Sequence, residues 1–216
     1  VNNSESSIAR ESHNFITIEA GPEIGVASTK AFTAQLSVLA CLCLIAGRER
    51  KTVNFSIEQQ LTEKLLEIPS NMSSVFNLLE QVKKLSKQIV NAKSVLFLGR
   101  GHLFPIAMEG ALKLKEISYI HAEGYASGEM KHGPIALVDD KVPVIVLAPK
   151  DSLFEKNISN MQEILARGGK VILITDTNGD KEIDDKNLKR LVLKNLNEFV
   201  QPIIFTLPVQ LLSYYV

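Results

Sequence analysis

VLFLGRGHLFPIAMEGALKLKEI (Val95–Ile117) reads as a strand, a tight turn and a helix in one unbroken run. VLFLG (Val95–Gly99) is a short, continuously apolar segment, the pattern of a parallel strand covered on both faces. Gly99-Arg100-Gly101 turns the chain, and a helix follows over roughly Phe104–Ile117. The unit repeats downstream. VPVIVLA (Val142–Ala148) and VILIT (Val171–Thr175) are strands of the same kind, separated by a helix over Ser152–Arg167 that stops at Gly168-Gly169. Leu191–Leu193 fits a further strand, and Pro202 opens a last helix. Strands alternating with helices predict an α/β fold, a doubly wound parallel sheet sandwiched by helices, with ligands held beyond the carboxyl ends of the strands.

The front of the chain has another texture. Val1–Ser12 is polar and turn-like, and Phe15–Ile18 is expected as a short strand before Gly21-Pro22. Ser28 or Thr29 is placed to cap a helix over Lys30–Gly47, whose Phe32, Leu36, Leu39, Leu42 and Cys43 recur at threes and fours. Helices over Ile57–Ile68 and Ser73–Asn91 flank Pro69, and no strand is expected between Lys30 and Asn91. This half reads as the trailing, mostly helical part of a preceding lobe. The expected division is 1–75 and 76–216. Both ends look cut, since the chain opens on Val1 and stops inside the apolar pattern PIIFTLPVQLLSYYV (Pro202–Val216). A fragment is expected.

With 216 residues, 45% of them hydrophobic, the chain can bury one good core or two small ones. Its formal net charge is zero and no basic patch interleaves with aromatics, which argues against nucleic acid as a partner. Cys41 and Cys43 diverge on a helix, so buried, reduced thiols are expected. The longest apolar run, Ala31–Ala46, contains Thr33, Gln35 and Ser37 and falls short of the roughly 20 residues of a membrane span. No signal-peptide pattern is present. A cytoplasmic protein without a membrane partner is expected.

The chemistry concentrates in EGALKLKEISYIHAEGYASGEMKHGP (Glu109–Pro134). Glu109, Lys113 and Glu116 share one helical face, while Lys115 points elsewhere, beside Leu112 and Met108. Ser127–Lys131 delivers His132 onto Gly133-Pro134, which fixes the chain after the imidazole. A carboxylate, an ammonium one turn away and an imidazole on a rigid loop suit proton transfer. The same spacing suits a solvated ion stripe with an ordinary loop histidine, because surface pairs of this kind are common and worth little.

Three other motifs have plainer readings. Gly99-Arg100-Gly101 is a tight turn and not a dinucleotide fingerprint, for Phe104 stands where the third glycine belongs. Gly25-Val26-Ala27-Ser28-Thr29-Lys30 precedes a helix, where free N–H groups suit a sugar hydroxyl or phosphate and an ordinary cap is the commoner case. Asp176–Asp180 resembles a calcium loop faintly, but Lys181 occupies the glycine position, so a turn is expected.

GPEIGVASTKAFTAQL (Gly21–Leu36), LFLGRG (Leu96–Gly101), EGALKLKEISYIHAE (Glu109–Glu123) and GEMKHGPIALVD (Gly128–Asp139) resemble, in order, the isomerase part of the glutamine–fructose-6-phosphate aminotransferase family. That part is built from two sugar-isomerase (SIS) lobes, and the similarity covers nearly the whole chain. The resemblance implies conversion of fructose 6-phosphate and glutamine-derived ammonia to glucosamine 6-phosphate. It implies Glu116 as the carboxylate that shuttles a proton from C1 to C2 and Lys113 as the lysine beside it. His132 becomes the ring-opening histidine, reaching the site from the neighbouring subunit of a homodimer. Val26 and Ser28, with Ala27 between them, would line the sugar. No cofactor and no metal are implied, and a glutaminase domain of the parent polypeptide is the implied partner. The family's serine-rich phosphate loop and its C-terminal tail lysine lie outside this sequence, so the piece alone is expected to be inactive. Two alternatives remain: a non-catalytic SIS module that senses a sugar phosphate, and a related SIS deglycase or isomerase. Glu116 together with His132 argues against the first, and KLKEISYIHAE with EMKHGP against the second.

Overall fold

A computed structural model describes all residues, 1–216. It divides into two compact units, Val1–Leu66 and Glu67–Val216.

The second unit is an α/β lobe. Its five strands are β1 (Ser94–Gly99), β2 (His121–Ala126), β3 (Pro143–Leu147), β4 (Lys170–Asp176) and β5 (Lys189–Leu193), all parallel, in the order β2-β1-β3-β4-β5. The order reverses between β1 and β3, which makes the carboxyl ends of those two strands the topological switch point. Side-chain alternation builds a core on each face. Leu96 and Leu98 of β1 join Val144, Val146, Val171 and Leu173 in a cluster with Phe154, Met161 and Ile164 of helix α7 (Phe154–Ala166). Phe97 points the other way, against Gly110 of helix α6 (Phe104–Ser118). Helix α9 (Gln201–Tyr215) packs along α6 and along α4 (Ile68–Val75) and α5 (Leu79–Ser86). A fully buried Phe or Leu contributes roughly 1.5–3 kcal/mol relative to exposure, so these two layers supply most of the lobe's stability.

β2 is a strand that the sequence did not announce. HAEGYA lacks the Val/Ile run of the others because it is a sheet edge, held on one side by β1, with only Ala122 fully buried. Gly124 lets it lie against α6: a Cβ there would stand 2.6 Å from the Cα and 2.7 Å from the N of Met108. Asp176 does more than mark a turn. Its carboxylate accepts from the N–H groups of Asn178 and Gly179 and caps a one-turn helix, α8 (Thr177–Lys181). Pro69 sits in the first turn of α4, where its missing N–H costs nothing, instead of separating two helices.

The first unit holds α1 (Ser7–Glu11), α2 (Lys30–Glu49) and α3 (Phe55–Leu66) and no strand. Phe15–Ile18 is extended but unpaired with any strand, and Val1 bonds to the backbone of Ile16 and Ile18. Thr29 precedes α2 without a side-chain cap bond; Glu23 takes that role. Cys41 and Cys43 are free as expected but exposed, as are Leu39, Leu42 and Ile45 of the same helix. By length and composition alone, α2 at 20 residues would span a bilayer, a reach the run Ala31–Ala46 understated.

Candidate active site

α6 carries the charged face. Pro105 starts the helix, and Tyr119, in the left-handed conformation at φ 61°, ends it by donating its N–H to the Lys115 carbonyl. Between them the face is dry where a solvated stripe would be wet. Lys113 is 2% exposed and Glu109 8%, while the Glu116 side chain is 31% exposed. Lys113 Nζ donates to Glu116 Oε2 at 2.6 Å and lies 3.6 Å from Glu109 Oε1. That second oxygen has no hydrogen-bond partner. Burial pushes the Glu109 carboxyl above its ordinary value, Lys113 opposes the rise, and the charge of Glu116 adds to it. The ammonium is thus paired at short range with the one carboxylate that reaches solvent. An ionised carboxylate held open on a rigid helix, with a cation behind it to balance developing negative charge, can abstract and return a proton.

His132 ends the 3₁₀ segment Ser127–His132. Met130, fully buried against the α7 side of the sheet, and the Lys131–Glu163 ion pair at 2.9 Å pin that segment. Gly133, at φ 138°, then turns the chain away. The imidazole itself is exposed and forms no hydrogen bond or ion pair within the chain. The structure brings Lys113 and Glu116 together, with Glu109 behind them, and leaves His132 facing outward. In the first unit, Val26 is 97% exposed, and Ala27 and Ser28 are half-buried at the entry to α2.

At the switch point, Gly99-Arg100-Gly101 is a tight turn. Gly101 takes φ 56°, and Arg100 spends its guanidinium on Asn160 Oδ1 at 3.0 Å. A polar cluster beside it escaped the sequence reading: His102 Nε2 lies 2.7 Å from Gln201 Oε1 and 4.0 Å from Asp151 Oδ2. Its members are far apart in sequence, and only strand order brings them together. At the sheet edge, Ser94 of β1 and His121, Glu123 and Tyr125 of β2 form a chain of polar contacts that was invisible while β2 was unread. No group of three or more His, Cys, Asp or Glu converges as metal ligands.

A parallel five-stranded sheet with its charged helix beside the edge strand defines a doubly wound α/β lobe. The SIS domain family profile matches residues 1–45 and 88–216, and the chain belongs to the SIS domain family. It is 55% identical over 216 residues to glutamine–fructose-6-phosphate aminotransferase [isomerizing] of Agrobacterium fabrum, covering all of this chain and 36% of that protein. It is 56% identical to the same enzyme of Rhizobium meliloti, again over 36% of its length. Among solved structures, the C-terminal domain of glucosamine-fructose-6-phosphate aminotransferase from Francisella tularensis superposes with a TM-score of 0.97 at 45% identity, covering all of this chain and 60% of that one. The chain therefore spans little more than a third of the curated relatives it matches.

Proposed function

We propose that this chain is the sugar-handling, isomerase portion of a glutamine–fructose-6-phosphate aminotransferase, in which Glu116 moves the proton from C1 to C2 of the open-chain sugar. The observation that carries this reading is the buried Lys113 ammonium held 2.6 Å from a solvent-reaching Glu116 carboxylate. Fructose 6-phosphate binds, His132 of a neighbouring subunit assists ring opening, and an imine forms at C2 with glutamine-derived ammonia. Glu116 removes the C1 proton from one face of the sugar while Lys113 balances the charge that develops, and the proton returns at C2 to give glucosamine 6-phosphate. Val26, Ala27 and Ser28 contact the sugar, residues 1–75 form the C-terminal portion of a first SIS lobe, and 76–216 form the second, with α4 as the connector that packs on α9. The parent enzyme acts in the cytoplasm as a homodimer and draws ammonia from a glutaminase domain on the same polypeptide. The outward-facing, unpartnered His132 on its pinned loop supports a role across a subunit boundary.

Subunit complementation tests this. Full-length Glu116→Gln and His132→Ala enzymes, each inactive, are mixed and allowed to exchange subunits. One intact site then forms in each mixed dimer, and about a quarter of wild-type activity returns if exchange is random. No recovery despite proven exchange would place both residues in one subunit's site, or neither in any.

A further inference from the structure

The turn Gly25–Lys30 is closed by a carboxylate that the sequence patterns did not single out. Glu23 Oε2 accepts from the Thr29 N–H at 2.9 Å, and its Oε1 accepts from the Ala31 N–H at 3.2 Å. The Ser28 hydroxyl and the Lys30 charge lie close by and favour the ionised carboxylate. One side chain thus ties down the first turn of α2 from six and eight residues upstream, while neither Thr29 nor any other side chain caps that helix in the usual way. The intervening residues Ile24 and Val26 are 96% and 97% exposed, so nothing in their own packing fixes the loop. A loop without buried side chains has little to order it beyond such bonds. Burial works against ionisation of Glu23, yet its donors prevail and hold the carboxyl below its ordinary value, so the tie is a charged one.

We infer that Glu23 is a positioning residue for the sugar: its carboxylate occupies the N-terminus of α2 and sets the conformation in which Val26, Ala27 and Ser28 meet the substrate. The inference rests on the proposal that these three residues contact the sugar. It has two consequences. The positive end of α2 is already neutralised by the chain's own carboxylate, so this turn offers the ligand hydroxyl-directed groups and not an anion hole. Loss of Glu23 then loosens substrate binding while the proton-transfer groups on α6 stay as they are.

The test uses the full-length enzyme with Glu23→Ala, Glu23→Gln and, as a control on the site itself, Ser28→Ala. In Glu23→Ala the KM for fructose 6-phosphate rises about tenfold or more, the weight of a charge-assisted pair of bonds, while kcat stays within about twofold. Glu23→Gln, which keeps the shape and loses the charge, falls between. The thermal midpoint of the enzyme stays within a few degrees of wild type, as for loss of one helix cap in a large protein. If Ser28→Ala raises KM and both Glu23 variants leave it unchanged, the inference is overturned and the sugar contact stands. If all three leave KM unchanged, the sugar contact fails and the inference fails with it. A fall in kcat together with the thermal midpoint, at constant KM, would make Glu23 a purely structural cap and also overturn the inference. Should Glu23→Ala not fold, Glu23→Gln decides by the same outcomes.

Discussion

Lys113 sits between two carboxylates at unequal distances: its Nζ is 2.6 Å from Oε2 of Glu116 and 3.6 Å from Oε1 of Glu109. The unequal pairing separates their roles. Glu116 receives the hydrogen bond and reaches solvent, whereas Glu109 is buried with an unpartnered oxygen and a raised pKa. A face that spacing alone leaves open to a solvated stripe becomes, once folded against β2 and α9, a desolvated charge system.

Removing the ammonium leaves carboxylate charge uncompensated at a buried site. Lys113→Met is expected to destabilise the chain by about 3 kcal/mol, and Lys113→Met with Glu109→Gln to regain roughly half of that. Denaturant unfolding with coincident probes measures both. Equal stabilities of wild type and the single variant would show that Lys113 is solvated.

Glu109 sets a pH dependence of definite sign. Its folded-state pKa lies above the ordinary 4.5, so the folded form binds the proton more tightly than the unfolded chain. That contribution favours the fold fully below the unfolded value and is lost as pH rises through the folded value. Glu109→Gln does not titrate there. Relative to wild type, the variant should gain stability as pH rises from below 4.5 toward neutrality, as followed by urea unfolding at each pH. A constant difference, or one of opposite sign, would contradict the desolvated reading of this carboxyl.

The close approach of β2 to α6 predicts a cost at one glycine. In Gly124→Ala, the new methyl would lie within 2.7 Å of backbone atoms of Met108, which cannot rotate away. Opening that contact is expected to cost about 1–3 kcal/mol, read as a lowered melting temperature. An unchanged melting temperature would mean that the edge strand lies further from the helix.

The two units should differ in robustness. In Val1–Leu66 the buried apolar side chains are few, among them Ile18, Ala31 and Leu44, and α3 buries none. The second unit has a sheet covered on both faces. Limited proteolysis of the 216-residue chain is expected to cut first within Val1–Leu66 and to leave a resistant piece beginning near Glu67. Equal resistance across both units would contradict this.

The three central strands and their flanking helices were legible because continuous apolar runs of five to seven residues admit few other readings. β2 was not legible. An edge strand has one paired side, so HAEGYA needs no apolar run, and its partner contacts lie in β1. Glu109, Lys113 and Glu116 were found from helical spacing, yet spacing carries no information about burial, and burial is what makes the face unusual. The His102–Gln201–Asp151 cluster was out of reach because only strand order assembles it. Glu23 was missed for a related reason: cap patterns look to the residue next to the helix, and this cap reaches in from six residues away. The thiols of Cys41 and Cys43 were misread because periodicity on α2 says which side is apolar and not whether anything covers it.

The central claim is that Glu116 carries the proton. The direct measurement is the isomerisation rate and the fructose 6-phosphate dissociation constant of the full-length Glu116→Gln enzyme beside wild type. Loss of a general base lowers rate by about 10²–10⁴-fold, and the amide keeps the size of the side chain, so the account predicts a fall of that order in kcat with the dissociation constant within about threefold. An enzyme that keeps half its rate would contradict the assignment, as would one whose lost activity is fully explained by weakened binding.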